Sequence, residues 1–318
     1  MYGVLGSGGL FLVLQDEFTR PPAEISVFFK IELDDGTPVA TLTKSDFELF
    51  EDGDRVDPNE SDRTIDPNPG TFLSPVILLL DLSGSILGGG TLPTLQTAAN
   101  TFVQELLEPD PDRQGEVDLA IFWFDGEADL HVLTESSADI QTHTDAIDAI
   151  TEDISNDATT DLNGSVIEGA QAVADRVNAV SAPVVAVGSL VVFTDGRDLA
   201  KRHDEQEVLD VIEALPQGVA VYTVGLGETI EREVLEDFGK DGSIFAEDVA
   251  DLVETFREIS DRVNNDVKGH YLLRYCGQAR AGQHDLTVRA TFENFTGDLE
   301  TTFSAAGFSG GCVVTPTE

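Results

Sequence analysis

The sequence predicts an α/β domain with a doubly wound sheet, inserted into a β-sandwich that the N- and C-terminal strands form together. Between residue 75 and about residue 265, short apolar runs alternate with helical periodicities, as in a parallel sheet covered by helices. On both sides of this region, apolar residues recur at every second position, which is typical of antiparallel strands. Because two hairpin-rich segments cannot each bury a core alone, we expect them to pair into one sandwich.

The N-terminal segment shows the strand alternation most clearly over residues 25 to 33, ISVFFKIEL, in which every second side chain is apolar. The stretch DFELFEDGD repeats this plan, with Phe47 and Leu49 followed by an Asp-Gly turn. Residues 57 to 70 are rich in proline and polar residues, which predicts a connection between domains. We therefore assign residues 1–70 to the first part of the sandwich and to this linker.

The middle of the chain contains the predicted sheet. Its expected buried strands are the four apolar runs PVILLLD, VDLAIFWF, VGSLVVFTD and GVAVYTVGLG. Between them, apolar residues fall on helical stripes, which begin at Leu92, Val166 and Leu252. The α/β domain is thus assigned to residues 71–266.

The C-terminal segment, residues 267–318, returns to period two and is expected to complete the sandwich. It also contains the two cysteines of the chain, Cys276 and Cys312. A lone pair of cysteines in a many-stranded segment predicts one structural disulfide, formed in an oxidising compartment. Two free thiols are the alternative.

The charge balance excludes several partners. The chain has 60 acidic and 18 basic residues, for a formal net charge of -42, which repels nucleic acid and anionic membrane surfaces. Such acidity is typical of a high-salt habitat or of a calcium-rich extracellular setting. No run reaches the 18 or more apolar residues of a membrane span, so no span is predicted. An export signal, if the protein has one, must have been removed or lie outside this chain.

Three polar loops fall at predicted strand ends or helix starts. The run VILLLDLSGSI brings a buried strand to an end in Asp81-Leu82-Ser83-Gly84-Ser85. In DATTDLNGS, Thr160 comes just before a helix, and in VVFTDGRD, Asp195 comes just after a strand. Open α/β sheets bind ligands outside the carboxyl ends of their strands, so these oxygen-bearing side chains are expected to converge.

The residue types at these loops indicate a site for a hard metal ion. Aspartate and hydroxyl oxygens without histidine or cysteine suit Mg²⁺, Ca²⁺ or Mn²⁺ and suit Zn²⁺ or Cu²⁺ poorly. Two carboxylates balance the charge of a divalent cation and leave a coordination position open for a carboxylate from a partner. The alternative is a polar loop in which Asp81 or Ser85 merely caps a helix.

The order of these motifs resembles a known family. Strand, Asp-Leu-Ser-Gly-Ser, helix, a threonine before Asp-Leu, and then Phe-Thr-Asp-Gly after an apolar strand is similar to the metal-ion-dependent adhesion site of von Willebrand factor type A domains. The resemblance covers about residues 71–266 and implies a Rossmann-like fold. The flanking β segments resemble, more loosely, those that accompany such domains in secreted bacterial proteins.

The resemblance implies a role for each site residue. Ser83 and Ser85 would coordinate the ion directly, and Thr160 directly or through water. Asp81 and Asp195 would act largely through water while supplying charge. The Asp-Leu that follows Thr160 matches the family pattern better than the neighbouring threonine does.

Other motifs that could explain these polar loops are incomplete or absent. The loop at Asp81 resembles the nucleophile loop of haloacid-dehalogenase-type phosphatases, but the required second aspartate is replaced by Ser83. No hydrolase elbow surrounds the serines, and the five histidines lie in surface-like or strand contexts. The stretch DPDRQGEVD at 110–118 begins like a calcium-binding loop, but its twelfth position is Ile121 instead of glutamate, so we interpret it as a solvated loop with at most weak Ca²⁺ binding.

These observations predict a non-enzymatic, divalent-cation-dependent protein-binding or adhesion module. Its ion, Mg²⁺ or Ca²⁺ with Mn²⁺ also suited, would accept an acidic side chain from a protein ligand. The expected location is extracellular, at the cell surface or in the periplasm. The alternative function is a structural or assembly component of a surface or matrix, in which the metal only stabilises the fold. The sequence leaves open the partner, the choice of ion and the oligomeric state.

Overall fold

The computed structural model describes residues 9–34, 36–57, 64–67, 72–108, 116–180, 185–228, 230–278, 281–310, 312 and 314. The strands in chain order are β1 Leu10–Arg20, β2 Glu24–Leu33, β3 Phe47–Glu51, β4 Asp54–Arg55, β5 Thr64–Pro67, β6 Phe72–Asp81, β7 Glu116–Phe124, β8 His131–Ser137, β9 Val185–Ala186, β10 Gly188–Thr194, β11 Val219–Leu226, β12 Gly242–Ala246, β13 His270–Cys276, β14 Gln283–Phe292 and β15 Phe295–Ser304. The α-helices are α1 Gly84–Gly88, α2 Leu92–Leu107, α3 Ile140–Asp148, α4 Leu162–Ala179, α5 Glu205–Glu213, α6 Arg232–Phe238 and α7 Leu252–Lys268.

The central sheet has seven strands. Six of them lie in the order β12-β11-β10-β6-β7-β8, and the short β9 pairs with the start of β6. All neighbours are parallel except β8, which runs antiparallel to β7 at one edge. Strand order reverses at β6, because β7 lies on one side of it and β10 on the other. The predicted doubly wound α/β fold is confirmed.

The central strand β6 is buried on both faces, as its continuous apolar run predicts. Val76, Leu78 and Leu80 point to one face, where they join a core with residues of α2 and α7. Ile77 and Leu79 point to the other face and join residues of α4, α5 and α6. Full burial of one such side chain stabilises the fold by about 1.5–3 kcal/mol. This strand therefore delivers its last residue to a rigidly held edge of the sheet.

The terminal segments form the predicted β-sandwich. One sheet has the order β1-β2-β13-β5 and the other the order β15-β14-β3-β4, with every neighbouring pair antiparallel. Inward-facing residues of both sheets share one core. The hydroxyl of Tyr271, on β13, donates to the carbonyl of Val39 at 2.7 Å and accepts from the amide of Leu42 at 3.1 Å. N- and C-terminal residues therefore complete a single unit.

The predicted disulfide is present and lies in this sandwich. Cys276, the last residue of β13, is bonded to Cys312, and their Cα atoms are 5.8 Å apart. No free cysteine remains in the chain. The alternative of two free thiols is therefore wrong in this structure.

The described residues fall into two compact units. The residues between positions 72 and 264 form the α/β unit, and those before 72 and after 264 form the sandwich unit. Much of the predicted connection at 57–70, and the start of the calcium-loop-like stretch at 110–115, lie outside the described residues. No helix in the described part of the chain is long and apolar enough to cross a membrane.

Candidate metal centre

Two adjacent parallel strands and one helix bring the candidate site residues to the same edge of the sheet. Asp81 is the last residue of β6, and Asp195 directly follows β10, its neighbour in the sheet. Thr160 precedes α4, which packs against this pair of strands. The carboxyl ends of β6 and β10 flank the point where strand order reverses, which is the ligand-binding crevice of open α/β sheets.

Direct hydrogen bonds connect four of the five residues. The hydroxyl of Ser85 donates to Oδ1 of Asp195 at 2.7 Å, and the hydroxyls of Ser83 and Ser85 are 3.3 Å apart. Asp81 accepts from the amide of Ser83 at 2.9 Å through Oδ1 and from the hydroxyl of Thr194 at 2.6 Å through Oδ2. Residues separated by more than a hundred positions in sequence thus meet in one polar cluster.

Thr160 is held close to this cluster by its backbone. Its carbonyl accepts from the amides of Leu199 at 2.8 Å and Ala200 at 3.0 Å, both in the loop that follows Asp195. The Thr160 side chain is buried, whereas its neighbour Thr159 is exposed and its hydroxyl donates to Asp157 at 2.7 Å. The structure therefore places Thr160, and not the adjacent threonine, beside the Asp195 loop.

Close packing explains the glycine in the middle of the motif. The amide of Gly84 donates to the carbonyl of Ala158 at 3.1 Å, and a Cβ atom at position 84 would lie 2.8 Å from the Ala158 side chain. A larger residue would push the motif away from the segment that carries Thr160. Gly84 thus permits the close approach of the two loops.

The helix-cap alternative does not describe these contacts. Ser83 occupies the N-cap position of α1, but its side chain makes no capping hydrogen bond. The hydroxyl of Ser85 is bonded to Asp195, and Asp81 binds the Ser83 amide, which lies outside the helix. The side-chain oxygens are therefore directed to one another rather than to the helix terminus.

The two carboxylates are partly or fully withdrawn from water. Burial raises the pKa of Asp81 to about 6; hydrogen bonds from Ser83 and Thr194 oppose this rise, and the nearby charge of Asp195 adds to it. Burial also raises the pKa of Asp195, opposed by its hydrogen bond from Ser85. Among ion pairs between described residues, none involves Asp81. A cation bound at this edge would compensate the buried charge.

The donor set fits a hard divalent cation. It consists of carboxylate and hydroxyl oxygens only, which suits Mg²⁺, Ca²⁺ and Mn²⁺. Hydroxyl oxygens that lie 3.3 Å apart, next to a carboxylate at 2.7 Å, are close enough to face a common ion. The residues present are therefore compatible with the ion that the sequence predicts.

A second group of metal-ligand residues lies farther along the same edge. Asp125 directly follows β7, and its carboxylate, that of Glu127 and a ring nitrogen of His131 all lie within 4.8 Å of one another. Asp125 is buried and accepts from the amide of Glu127 at 2.8 Å and from the hydroxyl of Ser155 at 2.6 Å. The His131 ring stacks on Trp123 with centroids 3.9 Å apart.

This second group was not predicted from the sequence, in which His131 is one of five histidines in surface-like or strand contexts. The available signal was the acidic DGE stretch that follows the strand and precedes that histidine by a few residues. Trp123 itself is buried in the α/β core.

Comparison with known proteins identifies the α/β unit. The family model described as "von Willebrand factor type A domain" matches residues 76–263. No curated protein matches the chain.

Several solved structures are similar in fold. A von Willebrand factor type A protein from Catenulispora acidiphila is 12% identical, with 94% of this chain and 74% of that chain covered and a TM-score of 0.49. The manganese-loaded TRAP protein of Plasmodium vivax is 14% identical, with 77% and 98% covered and a TM-score of 0.48. Proximal thread matrix protein 1 of the mussel byssus, with a zinc-occupied MIDAS motif, is 12% identical, with 61% and 48% covered and a TM-score of 0.48. The chain thus spans about half the length of the mussel protein.

Proposed function

Because the chain belongs to the von Willebrand factor type A domain family, we propose that its α/β unit is a divalent-cation-dependent protein-binding module of the adhesion type. Domains of this family are generally non-enzymatic modules of adhesion and protein interaction. The observation that carries the proposal is the convergence of Asp81, Ser83, Ser85 and Asp195 in one hydrogen-bonded cluster, with Thr160 held beside it.

The five residues contact the ion in two ways, directly or through water. Ser83 and Ser85 bind it through their hydroxyls, and Thr160 binds it directly or through water. Asp81 and Asp195 supply negative charge, largely through water. When bound, the cation supplies an open coordination position for a carboxylate of another protein. Mg²⁺ or Ca²⁺ is the expected ion, and Mn²⁺ also suits the oxygen ligands.

The charge of the chain supports a role for the ion in partner capture. With a formal net charge of -42, the protein repels an acidic partner at long range. A divalent cation at the sheet edge provides a local positive charge at which a single carboxylate can bind. The partner we propose is therefore a protein that presents an acidic side chain.

The proposed location is outside the cytoplasm: extracellular, at the cell surface or in the periplasm. The disulfide between Cys276 and Cys312 supports it, because such bonds form and persist in oxidising compartments.

Calorimetric titration with MnCl₂, MgCl₂ and CaCl₂ tests the cation site. Asp81→Ala and Ser83→Ala should abolish binding, because they remove a charge and a ligand from the centre of the cluster. Asp175→Ala, which removes an exposed carboxylate of α4 in the same unit, should bind as the wild type does. Equal cation affinity in all four proteins would contradict the assignment of this site.

Affinity purification with and without EDTA tests the role of the site in partner binding. We expect a partner that is retained in MgCl₂ and released by EDTA, and that is not retained by the Asp81→Ala protein. Capture that survives both treatments would overturn the adhesion proposal. Cation binding without any cation-dependent partner would favour the structural alternative, in which the metal stabilises the fold only.

A further inference from the structure

One arginine joins three loops at the edge of the α/β unit. In the segment between β10 and α5, Nη1 of Arg202 lies 2.7 Å from Oδ2 of Asp161. Nη2 of the same guanidinium donates to the carbonyl of Gly126 at 2.7 Å, and Nη1 also reaches the carbonyl of Glu127 at 3.4 Å. A planar guanidinium with several donors suits such a contact, which a lysine ammonium on a flexible stem cannot reproduce.

The acidic partner of this arginine is itself rigidly held. Asp161 is 1% exposed and forms the N-cap of α4, where it accepts from the amide of Gly164. Its own amide donates to the carbonyl of Asp125 at 2.8 Å. The Arg202 side chain is 39% exposed, so only the aspartate end of the pair is buried. Loss of the arginine would leave the buried Asp161 carboxylate without its counter-charge, which favours the closed contact.

Two of the five candidate metal ligands lie on the loops that the ion pair joins. Thr160 directly precedes Asp161, and Asp195 lies seven residues before Arg202 in the opposing loop. The amides of Leu199 and Ala200 hydrogen-bond the Thr160 carbonyl between these points. The distance between the Thr160 and Asp195 side chains therefore depends on how firmly residues 196–203 lie against residues 160–161.

We infer that Arg202 is a positioning residue for the metal centre. Its ion pair with Asp161 holds the loop of Thr160 against the loop of Asp195, so that both side chains can face one ion. This inference rests on the proposed cation site and adds to it a residue that touches neither the ion nor the protein ligand.

The direction in which cation affinity changes when Arg202 is replaced distinguishes a positioning role from a purely electrostatic one. Arg202 is positively charged, so its charge alone opposes a cation bound nearby, and removing that charge should tighten cation binding. A positioning role has the opposite consequence, because loss of the ion pair lets the two loops separate. Outer-shell residues that orient metal ligands typically contribute about 10- to 100-fold to metal affinity.

The test is calorimetric titration of the full chain with MnCl₂. Arg202→Gln should weaken Mn²⁺ binding by about 10- to 100-fold, and Arg202→Lys should also weaken it, although it retains the charge. Arg197→Gln is the matched control, because Arg197 lies in the same loop, is 61% exposed at its side chain and is 3.9 Å from its nearest carboxylate, Glu231. The control should bind Mn²⁺ as tightly as the wild type or more tightly.

A second measurement is independent of the metal. Without added cation, hydrogen exchange at the amides of Leu199 and Ala200 should be faster in Arg202→Gln than in Arg197→Gln, while exchange in β6 stays unchanged. Mn²⁺ affinity in Arg202→Gln that equals or exceeds the wild-type value would overturn the inference and leave the cation site intact. Absence of Mn²⁺ binding in the wild type would overturn the proposed function, and the inference with it.

Discussion

Replacement of Asp81 by asparagine should stabilise the metal-free protein. Asp81 is fully buried at the end of β6, and its carboxylate receives hydrogen bonds from the Ser83 amide and the Thr194 hydroxyl. Asparagine can keep both contacts, since its carbonyl accepts from Ser83 and its amide can donate to Thr194. The substitution therefore removes a buried negative charge with little change in shape.

The raised pKa of Asp81 sets the size of the stabilisation expected from this substitution. Burial raises it from 3.8 to about 6, and with about 1.36 kcal/mol for each pKa unit, the ionised carboxylate costs the folded protein about 3 kcal/mol. Because the folded state binds this proton more tightly than the unfolded state, the cost appears as pH rises from 3.8 through 6 and is complete above it. At pH 8 the full cost of about 3 kcal/mol applies, and at pH 5 about half of it.

Urea denaturation in EDTA measures this effect. The single tryptophan, Trp123, is buried in the α/β core, so its fluorescence reports the unfolding of that unit. At pH 8, Asp81→Asn should exceed the wild type in unfolding free energy by up to about 3 kcal/mol, and this advantage should shrink by about 1.5 kcal/mol at pH 5. Asp175→Asn, on the exposed surface of α4, should show no such change.

Added cation should reverse the order of stability. A ligand that binds only the folded state stabilises it in proportion to the logarithm of its concentration over Kd, so MgCl₂ or MnCl₂ should stabilise the wild type and not Asp81→Asn. A stability difference between the two proteins in EDTA that does not grow between pH 5 and pH 8 would contradict the expected cost of the buried Asp81 charge.

Three further predictions concern the scaffold. Gly169→Ala places a methyl group 2.6 Å from a leucine side chain of β6 and should destabilise the α/β unit by about 1–3 kcal/mol, whereas Gly88→Ala, with open space around it, should be nearly neutral in the same Trp fluorescence assay. Cys276→Ser opens a bridge between residues 36 positions apart and should lower the unfolding free energy of the sandwich by about 3–4 kcal/mol in urea followed by circular dichroism; two thiols that alkylate in the native wild type would contradict the bridge itself. Burial holds the pKa of His270 below its usual 6.5, so the unfolded state binds its proton first and stability is lost as pH falls below 6.5; the stability of His270→Gln should fall less between pH 7.5 and 5.5, and an equal fall in both proteins would argue against this role.

The fold could be predicted because its signals are local. An uninterrupted apolar run such as VILLL reads as a strand buried on both faces wherever it occurs, and β6 is such a strand. The cysteine pairing was similarly constrained, because Cys276 and Cys312 have no other partner in the chain. The convergence of Asp81, Ser83, Ser85 and Asp195 could be anticipated since strand ends in a parallel sheet meet at one edge.

The contacts that could not be predicted from the sequence are those between loops. Arg202 has no sequence pattern that marks it, because its partners Asp161 and Gly126 lie on segments far from it in sequence. The group around Asp125 was likewise missed, since His131 enters it from the start of the next strand. Loop conformations are set by tertiary contacts, and their side-chain neighbours are not encoded in local periodicity.

The pairing of the two chain ends has a consequence for the order of folding. The hydroxyl of Tyr271 binds the carbonyl of Val39 across 232 positions of sequence, and β2 pairs with β13 across a similar interval. During synthesis, the first strands emerge long before the partners that complete their sheets. The inserted α/β unit has all of its strands within one stretch of sequence. It can therefore fold in the meantime and shorten the loop that must close. Until then β2 and β3 present unpaired edges, the feature through which strands aggregate, and the strongly acidic composition keeps such waiting chains apart by mutual repulsion.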